Sequence, residues 1–215
     1  PCEEGSECVM VDTGPVCNGA TYCGAITTFA DVTVSRVVFV DSDGDDRTGD
    51  GSMALPFASL SRAAGEATPG TTIRLSGGFQ GDQIVEHLHG DATAPIIIQA
   101  WGGATIVGGV DGIRLVDPRW VVLEWLTLQG QSSSGIRIDD GGDAATPAGP
   151  VVVRRVTIRD VGTGGAGDCM KLSGVDDFFV LDNTLTACGT GGGTGTGIDM
   201  VGCHEGLIAG NYFHD

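Results

Sequence analysis

The sequence predicts an all-β solenoid, on three observations. The segments GIRL at 112–115, GIRI at 135–138, CMKL at 169–172 and GIDM at 197–200 superimpose, at intervals of 23, 34 and 28 residues. Each is followed by a second matching segment: VVLEWLTLQ at 121–129, VVVRRVTIR at 151–159, FFVLDNTLT at 178–186 and GLIAGNYFH at 206–214. A short unit recurring at irregular spacing is what coils with loops of unequal length leave in a sequence. Glycine, finally, supplies 37 of 215 residues without a G-X-Y period, a content suited to many turns and unlike collagen.

The chain has room for one ordinary domain and a small appendage, and its 41% hydrophobic content is enough to fill a core. The formal charge of −17 would repel nucleic acid and anionic membrane surfaces alike. No apolar run is long enough to cross a membrane, so membrane insertion is not expected, and a monomer is. Cys2, Cys8, Cys17 and Cys23 crowd the first 23 residues, without the spacing of a zinc site. Such a stretch reads as two disulfides formed in an oxidising compartment, which places the protein outside the cell or at its surface. Two regions follow: a cysteine-rich segment over 1–30 and a solenoid over 31–215. The solenoid is expected to be truncated, since residue 215 directly follows a strand-like repeat and solenoid ends require caps.

Within the solenoid, Val37–Val40 reads as a strand, followed by the acidic loop Asp41–Asp46. Ser59 to Ala67 reads as a short helix with Ser59 as N-cap, Leu60, Ala63 and Ala67 on one face, and Pro69-Gly70 as its stop. Strands follow at Thr72–Leu75, Ile96–Ala100 and Thr105–Val107, separated by Gly, Asp and Pro clusters. In the repeat, Leu123, Val153, Val180 and Ile208 share one position, and Leu128, Ile158, Leu185 and Phe213 another. Apolar residues at matched positions make inward stacks. Leu126, Val156, Asn183 and Asn211 share a further position, where the two asparagines can begin a side-chain ladder at a turn.

The run VFVDSDGDDRTGDGSMALPFASLSRAAGEATPGTTIRLSGGF, the segment APIIIQAWGGATIVGG and the turn asparagines resemble the secreted right-handed parallel β-helix proteins, a group that includes polysaccharide lyases. The resemblance covers about residues 35 to 215. It implies a right-handed parallel β-helix whose short helix caps the first coil. That framework carries lyases, hydrolases, epimerases and inert surface proteins, so activity has to be argued from particular side chains.

Ile113, Ile136, Met170 and Ile198 share an inward position, so their successors Arg114, Arg137, Lys171 and Asp199 point outward. With coils about 4.8 Å apart these four form a row roughly 15 Å long. Lys171 is the only lysine, and seven of the eleven basic residues lie between 114 and 171. Three cations in line repel one another, and an acidic polysaccharide laid along the row would relieve the repulsion. The resembled lyases cut such chains by β-elimination, which needs a cation to neutralise the uronate carboxylate and a base to take the adjacent proton. Lys171 suits the base because guanidinium hardly ever gives up its proton. Arg137 is its catalytic partner in this reading, and Arg114 and Asp199 bind substrate. The alternative is that Lys171 and Asp199 form an ordinary ion pair across coils, worth under about 1 kcal/mol. Excess residues at 139–149, 162–168 and 188–196 flank the row, as insertions beside a binding face do.

For calcium, Asp168, Asp176 and Asp177 are the carboxylates nearest the row. The loop Asp41, Asp43, Asp45 opens like an EF-hand, but Asp46 replaces its glycine and Ser52 its terminal glutamate, leaving a loose calcium site or a solvated turn. His87 and His89 stand two apart on one strand face and read as exposed polar positions rather than ligands. Cys169, Cys188 and Cys203 share no register; either one pair bridges a loop or a partner lies further along the chain. The functional expectation is an extracellular β-helix that binds or cleaves acidic polysaccharide. Alternatives are a non-catalytic adhesion module and a glycoside hydrolase, for which Asp176, Asp177 and Glu205 are the available carboxylates.

Overall fold

Three parallel sheets wind around one apolar core in the computed structural model, which describes residues 33–215 in full and the backbone of residues 7–11 and 14–18. The chain divides into two compact units, residues 1–31 and 32–215. In the first, β1 (Glu7–Val11) and β2 (Gly14–Asn18) form an antiparallel hairpin. The pairing of the four cysteines in this segment lies outside the described residues.

The second unit begins with β3 (Arg36–Asp41) and α1 (Leu60–Ala64). Five coils of three strands follow. They are β4 (Thr71–Ser76), β5 (Gly78–Gln80) and β6 (Gln83–Glu86), then β7 (Ile96–Ala100), β8 (Thr105–Val107) and β9 (Ile113–Val116). The third coil holds β10 (Val121–Glu124), β11 (Thr127–Gln129) and β12 (Ile136–Asp139), and the fourth β13 (Val151–Arg154), β14 (Thr157–Val161) and β15 (Met170–Ser173). The fifth comprises β16 (Phe178–Leu181), β17 (Thr184–Cys188) and β18 (Ile198–Val201), after which β19 (Leu207–Ala209) and β20 (Tyr212–His214) start another. Each strand pairs with its counterpart one coil away, giving parallel sheets of seven, six and five strands. The fold is therefore an all-β parallel solenoid with almost no helix.

Stacked apolar columns hold the coils together. Val38, Ile73, Ile98, Leu123, Val153 and Val180 stand in register, each at most 1% exposed, and Ile208 continues the column at 39%. Phe79, Ile106, Leu128, Ile158, Leu185 and Phe213 form a second column. Each fully buried side chain of these columns contributes about 1.5–3 kcal/mol by leaving water, and Ile208 and Phe213, at 39% and 50% exposure, contribute less. Coil-to-coil register thus follows from apolar matching, since a one-residue slip would turn every side chain to the opposite face.

The helix is shorter than the predicted Ser59–Ala67. Ser59 does cap it, accepting from Arg62 N, and Leu60 and Ala63 are buried. Past Ala64 the chain tightens into i→i+3 bonds, Glu66 N to Ala63 O and Ala67 N to Ala64 O, which end the α pattern. Glu66 is drawn instead to Arg36 and Arg62, whose hydrogen bonds hold its carboxyl below the ordinary glutamate value. No helix among the described residues is long and apolar enough to cross a membrane.

The asparagine ladder forms at the turn before β17 and β20. Buried Asn183 accepts from Val156 N and donates to Val153 O, both at 2.9 Å, while its own N–H donates to Asn211 Oδ1 at 2.9 Å. The turn needs these bonds because a left-handed residue precedes each position, Arg155 (φ 53), Asp182 (φ 55) and Gly210 (φ 68), breaking the sheet ladder there.

Candidate functional site

Strands β6, β9, β12, β15 and β18 make the five-stranded sheet, and its outer face carries the row. Register pairs Arg114 with Arg137, Arg137 with Lys171 and Lys171 with Asp199, with Ile84 one coil before Arg114. Their inward neighbours Ile113, Ile136 and Met170 are fully buried, which fixes the direction of the row. The side chains are comparably accessible: Arg114 35%, Arg137 36%, Lys171 30% and Asp199 35% exposed.

The row is not a line of unopposed cations, and the expectation of unrelieved repulsion is corrected here. Asp139, its side chain 7% exposed, lies between the two arginines: Arg114 Nε donates to Asp139 Oδ2 at 2.8 Å, and Arg137 Nε stands 3.4 Å from the same oxygen. The hydrogen bond to Asp139 holds the Arg114 guanidinium above its ordinary value against the effect of burial, with Asp139, Asp111 and Glu86 adding charge attraction. Lys171 Nζ in turn donates to Asp199 and lies 3.9 Å from Asp168. One carboxylate thus serves two arginines and two carboxylates serve one lysine, so the row is polarised from a cationic end at Arg114–Arg137 to an anionic end at Lys171–Asp199. Asp139 was missed, although the alternation in IRID places it on the same face as Arg137.

A second outward row offers a comparison. On the seven-stranded sheet, Arg74, Gln99, Glu124 and Arg154 stand in register. Arg154 Nε donates to Glu124 Oε2 at 2.7 Å, and Gln99, with its amide turned to satisfy both neighbours, donates to Glu124 and accepts from Arg74. Signs alternate along that row and the pair is shielded, at 22% and 9% exposure. Only the first row sets like charges side by side within reach of solvent.

The carboxylates considered for calcium lie at opposite ends of β15, and two of them are otherwise engaged. Asp168 accepts from Thr196 N and Oγ1, and Asp176 accepts from His204 N with His204 Nδ1 at 3.0 Å. Asp177 is exposed on a left-handed turn (φ 53). They share no point at which three ligand atoms come within 4.8 Å. In the Asp41–Asp46 loop the carboxylates fold back on the chain: Asp45 accepts from Arg47 N and Thr48 N, and Asp46 from Ala58 N and Ser59 N. These bonds lower the Asp45 carboxyl below its ordinary value.

Cys169 and Cys188 are bonded to each other, resolving the alternatives in favour of a bridge across a loop, and Cys203 is free. Cys169 immediately precedes β15, so the bridge anchors the strand that presents Lys171.

His87 and His89 are exposed, as expected, but they lie in the turn after β6 rather than on a strand. The following coil brings Asp117 against them: its Oδ2 is 3.2 Å from His87 Nδ1 and 3.1 Å from His89 Nε2. Burial pushes the Asp117 carboxyl up, but the hydrogen bond from His87 and the charge of Arg119 outweigh it, and the group sits below its ordinary value. Sequence reasoning missed this trio because Gln83 occupies the inward position that later coils fill with Ile or Met, hiding β6 from the repeat.

No protein-family profile matches the chain, and no curated protein does. Among solved structures it is similar to the native GH136 lacto-N-biosidase from Eubacterium ramulus, with a TM-score of 0.43 and 12% identity over 84% of this chain and 52% of that one. It is also similar to pectate lyase Pel9A, with a TM-score of 0.41 and 14% identity over 74% of this chain and 55% of that one. The chain spans about half the length of these proteins. At such identity and TM-scores neither likeness carries a functional argument, and the solenoid architecture stands on the chain's own parallel sheets.

Proposed function

We propose that this chain is an extracellular glycan-binding β-solenoid that holds an acidic polysaccharide along the row Arg114–Arg137–Lys171–Asp199. The observation that carries this reading is the pair of like-charged, part-exposed guanidiniums on successive coils, steadied from beneath by one buried carboxylate. A guanidinium fork suits a sugar carboxylate, while Lys171 and Asp199 offer a donor and an acceptor to hydroxyls. Coil spacing of about 4.8 Å is close to the length of one sugar unit, so neighbouring positions address neighbouring sugars. The Cys169–Cys188 bridge supports export.

The catalytic form of this reading is β-elimination. A uronate carboxylate at Arg137 would acidify the adjacent carbon. Lys171 Nζ, having given up its own proton, would take that carbon's proton, the bond from the next carbon to the glycosidic oxygen would break with its electron pair going to that oxygen, which would take a proton from water, and a carbon–carbon double bond would remain. Lys171 must first leave Asp199 for this, so the geometry favours binding over cleavage. No step requires calcium.

Binding to polygalacturonate, alginate and chondroitin sulfate, measured by affinity electrophoresis against neutral dextran, tests the proposal. The protein should be retarded by at least one acidic glycan and not by dextran, and Arg137→Ala should weaken binding about tenfold, or 1.4 kcal/mol. Asp139→Asn should tighten it, because the arginines lose their internal counter-charge. No retardation by any acidic glycan, or equal retardation of Arg137→Ala, refutes the reading. Ultraviolet absorbance of an unsaturated product, lost in Lys171→Ala, would establish the lyase form; binding without product would establish the non-catalytic one.

A further inference from the structure

The cluster formed by His87, His89 and Asp117 lies outside the row and has no part in the function proposed above. We propose that these three side chains form a binding site for a divalent transition-metal ion of the zinc class. The donor set is two imidazole nitrogens and one carboxylate oxygen, His87 Nδ1, His89 Nε2 and Asp117 Oδ2, all within 4.8 Å of one another. Imidazole ligands select zinc-like ions over hard calcium, and three protein ligands leave a fourth position for water or a ligand.

Four features of the geometry suit a metal. First, the two nitrogens stand 3.2 and 3.1 Å from the carboxylate oxygen. Ligand atoms at about 2.0–2.2 Å from a tetrahedral zinc are separated by roughly 3.3–3.5 Å, so only a few tenths of an ångström of adjustment is needed. Second, the other carboxylate oxygen is already held: Arg119 Nη2 donates to Asp117 Oδ1 at 3.1 Å, which aims Oδ2 at the two imidazoles as an outer partner of a metal ligand does. Third, the backbone oxygen of Asp117 lies 2.9 Å from His89 Nε2, a hydrogen bond that holds this ring nitrogen beside the carboxylate and whose proton a metal ion would displace. Fourth, the imidazoles are 69% and 43% exposed, so an ion has a direct path in and the ring nitrogens not used for binding can keep their protons in solvent.

The backbone places the trio deliberately. Coil register sets His87 beside Asp117 at the corner that ends the five-stranded sheet, and both residues are left-handed, at φ 52 and 48. The fourth and fifth coils put glycines, Gly174 (φ 64) and Gly202 (φ 62), at this corner. In the first two coils the position that glycine fills without strain carries metal-capable side chains instead.

Calorimetric titration of Zn2+ into the full chain, with Co2+ absorption as a second readout, tests the site. The unmodified protein should bind an equivalent of Zn2+ that His89→Ala and Asp117→Asn each weaken by tenfold or more. Asparagine keeps the left-handed corner, so the second variant changes the ligand and spares the turn. His204→Ala, which alters the histidine paired with Asp176 on the fifth coil, should leave that equivalent intact. Bound Co2+ should show the visible bands of a four-coordinate nitrogen–oxygen site, absent in His89→Ala. Failure to bind Zn2+, binding unaffected by both ligand variants, or loss of the same equivalent in His204→Ala overturns the proposal.

Discussion

Replacing Asn183 with alanine should lower the melting temperature by about 10 °C. The side chain is 1% exposed and satisfies two main-chain groups of the preceding coil, Val156 N–H and Val153 C=O. Alanine leaves both without a partner where water does not reach, at about 1–3 kcal/mol for each. In a domain of this size 1 kcal/mol corresponds to roughly 2–4 °C. Asn211→Ala should cost less, because Asn211 is only partly buried and solvent can replace its bonds. Thermal unfolding followed by far-ultraviolet circular dichroism decides the matter; a shift below about 2 °C in Asn183→Ala would show that the ladder adds little stability.

Removing the internal bridge should have an effect of similar size. The double variant Cys169→Ala, Cys188→Ala releases a loop whose ends are 19 residues apart, and closure of such a loop restricts the unfolded chain by about 3 kcal/mol. The expected fall is roughly 6–12 °C, with Met53→Ala, at a residue 72% exposed, as a reference of small effect. The same loss should appear when the unmodified protein is melted in reductant, since Cys169 is fully buried and becomes reducible as the coil opens. Unchanged melting of the double variant would mean that the apolar columns alone hold the fourth and fifth coils.

Architecture and neighbour relations were legible because they rest on periodicity. The match of Ile113, Ile136, Met170 and Ile198 determined that Arg114, Arg137, Lys171 and Asp199 would stand in line, and they do. What surrounds that line was less legible. Asp139 belongs to a different column, so aligning like positions passed over it, although two-residue alternation puts it beside Arg137. The trio of His87, His89 and Asp117 depends on a corner, where coil length varies and no apolar pattern marks which residues meet. Its first strand also breaks the repeat with Gln83. The helix end was misplaced for a local reason: Ala67 continues the apolar face, but Glu66 is held by Arg36 and Arg62 and turns the chain early.

The disulfide has a mechanical consequence. It joins the start of β15 to the end of β17 and so closes most of one coil into a covalent ring. When the chain is pulled from its two ends, tension passes across the sulfur–sulfur bond and skips the 18 residues between the cysteines, withholding about 60 Å of extension. Lys171 lies inside that ring. The segment carrying the sole lysine is thus shielded from end-to-end tension as long as the bridge holds.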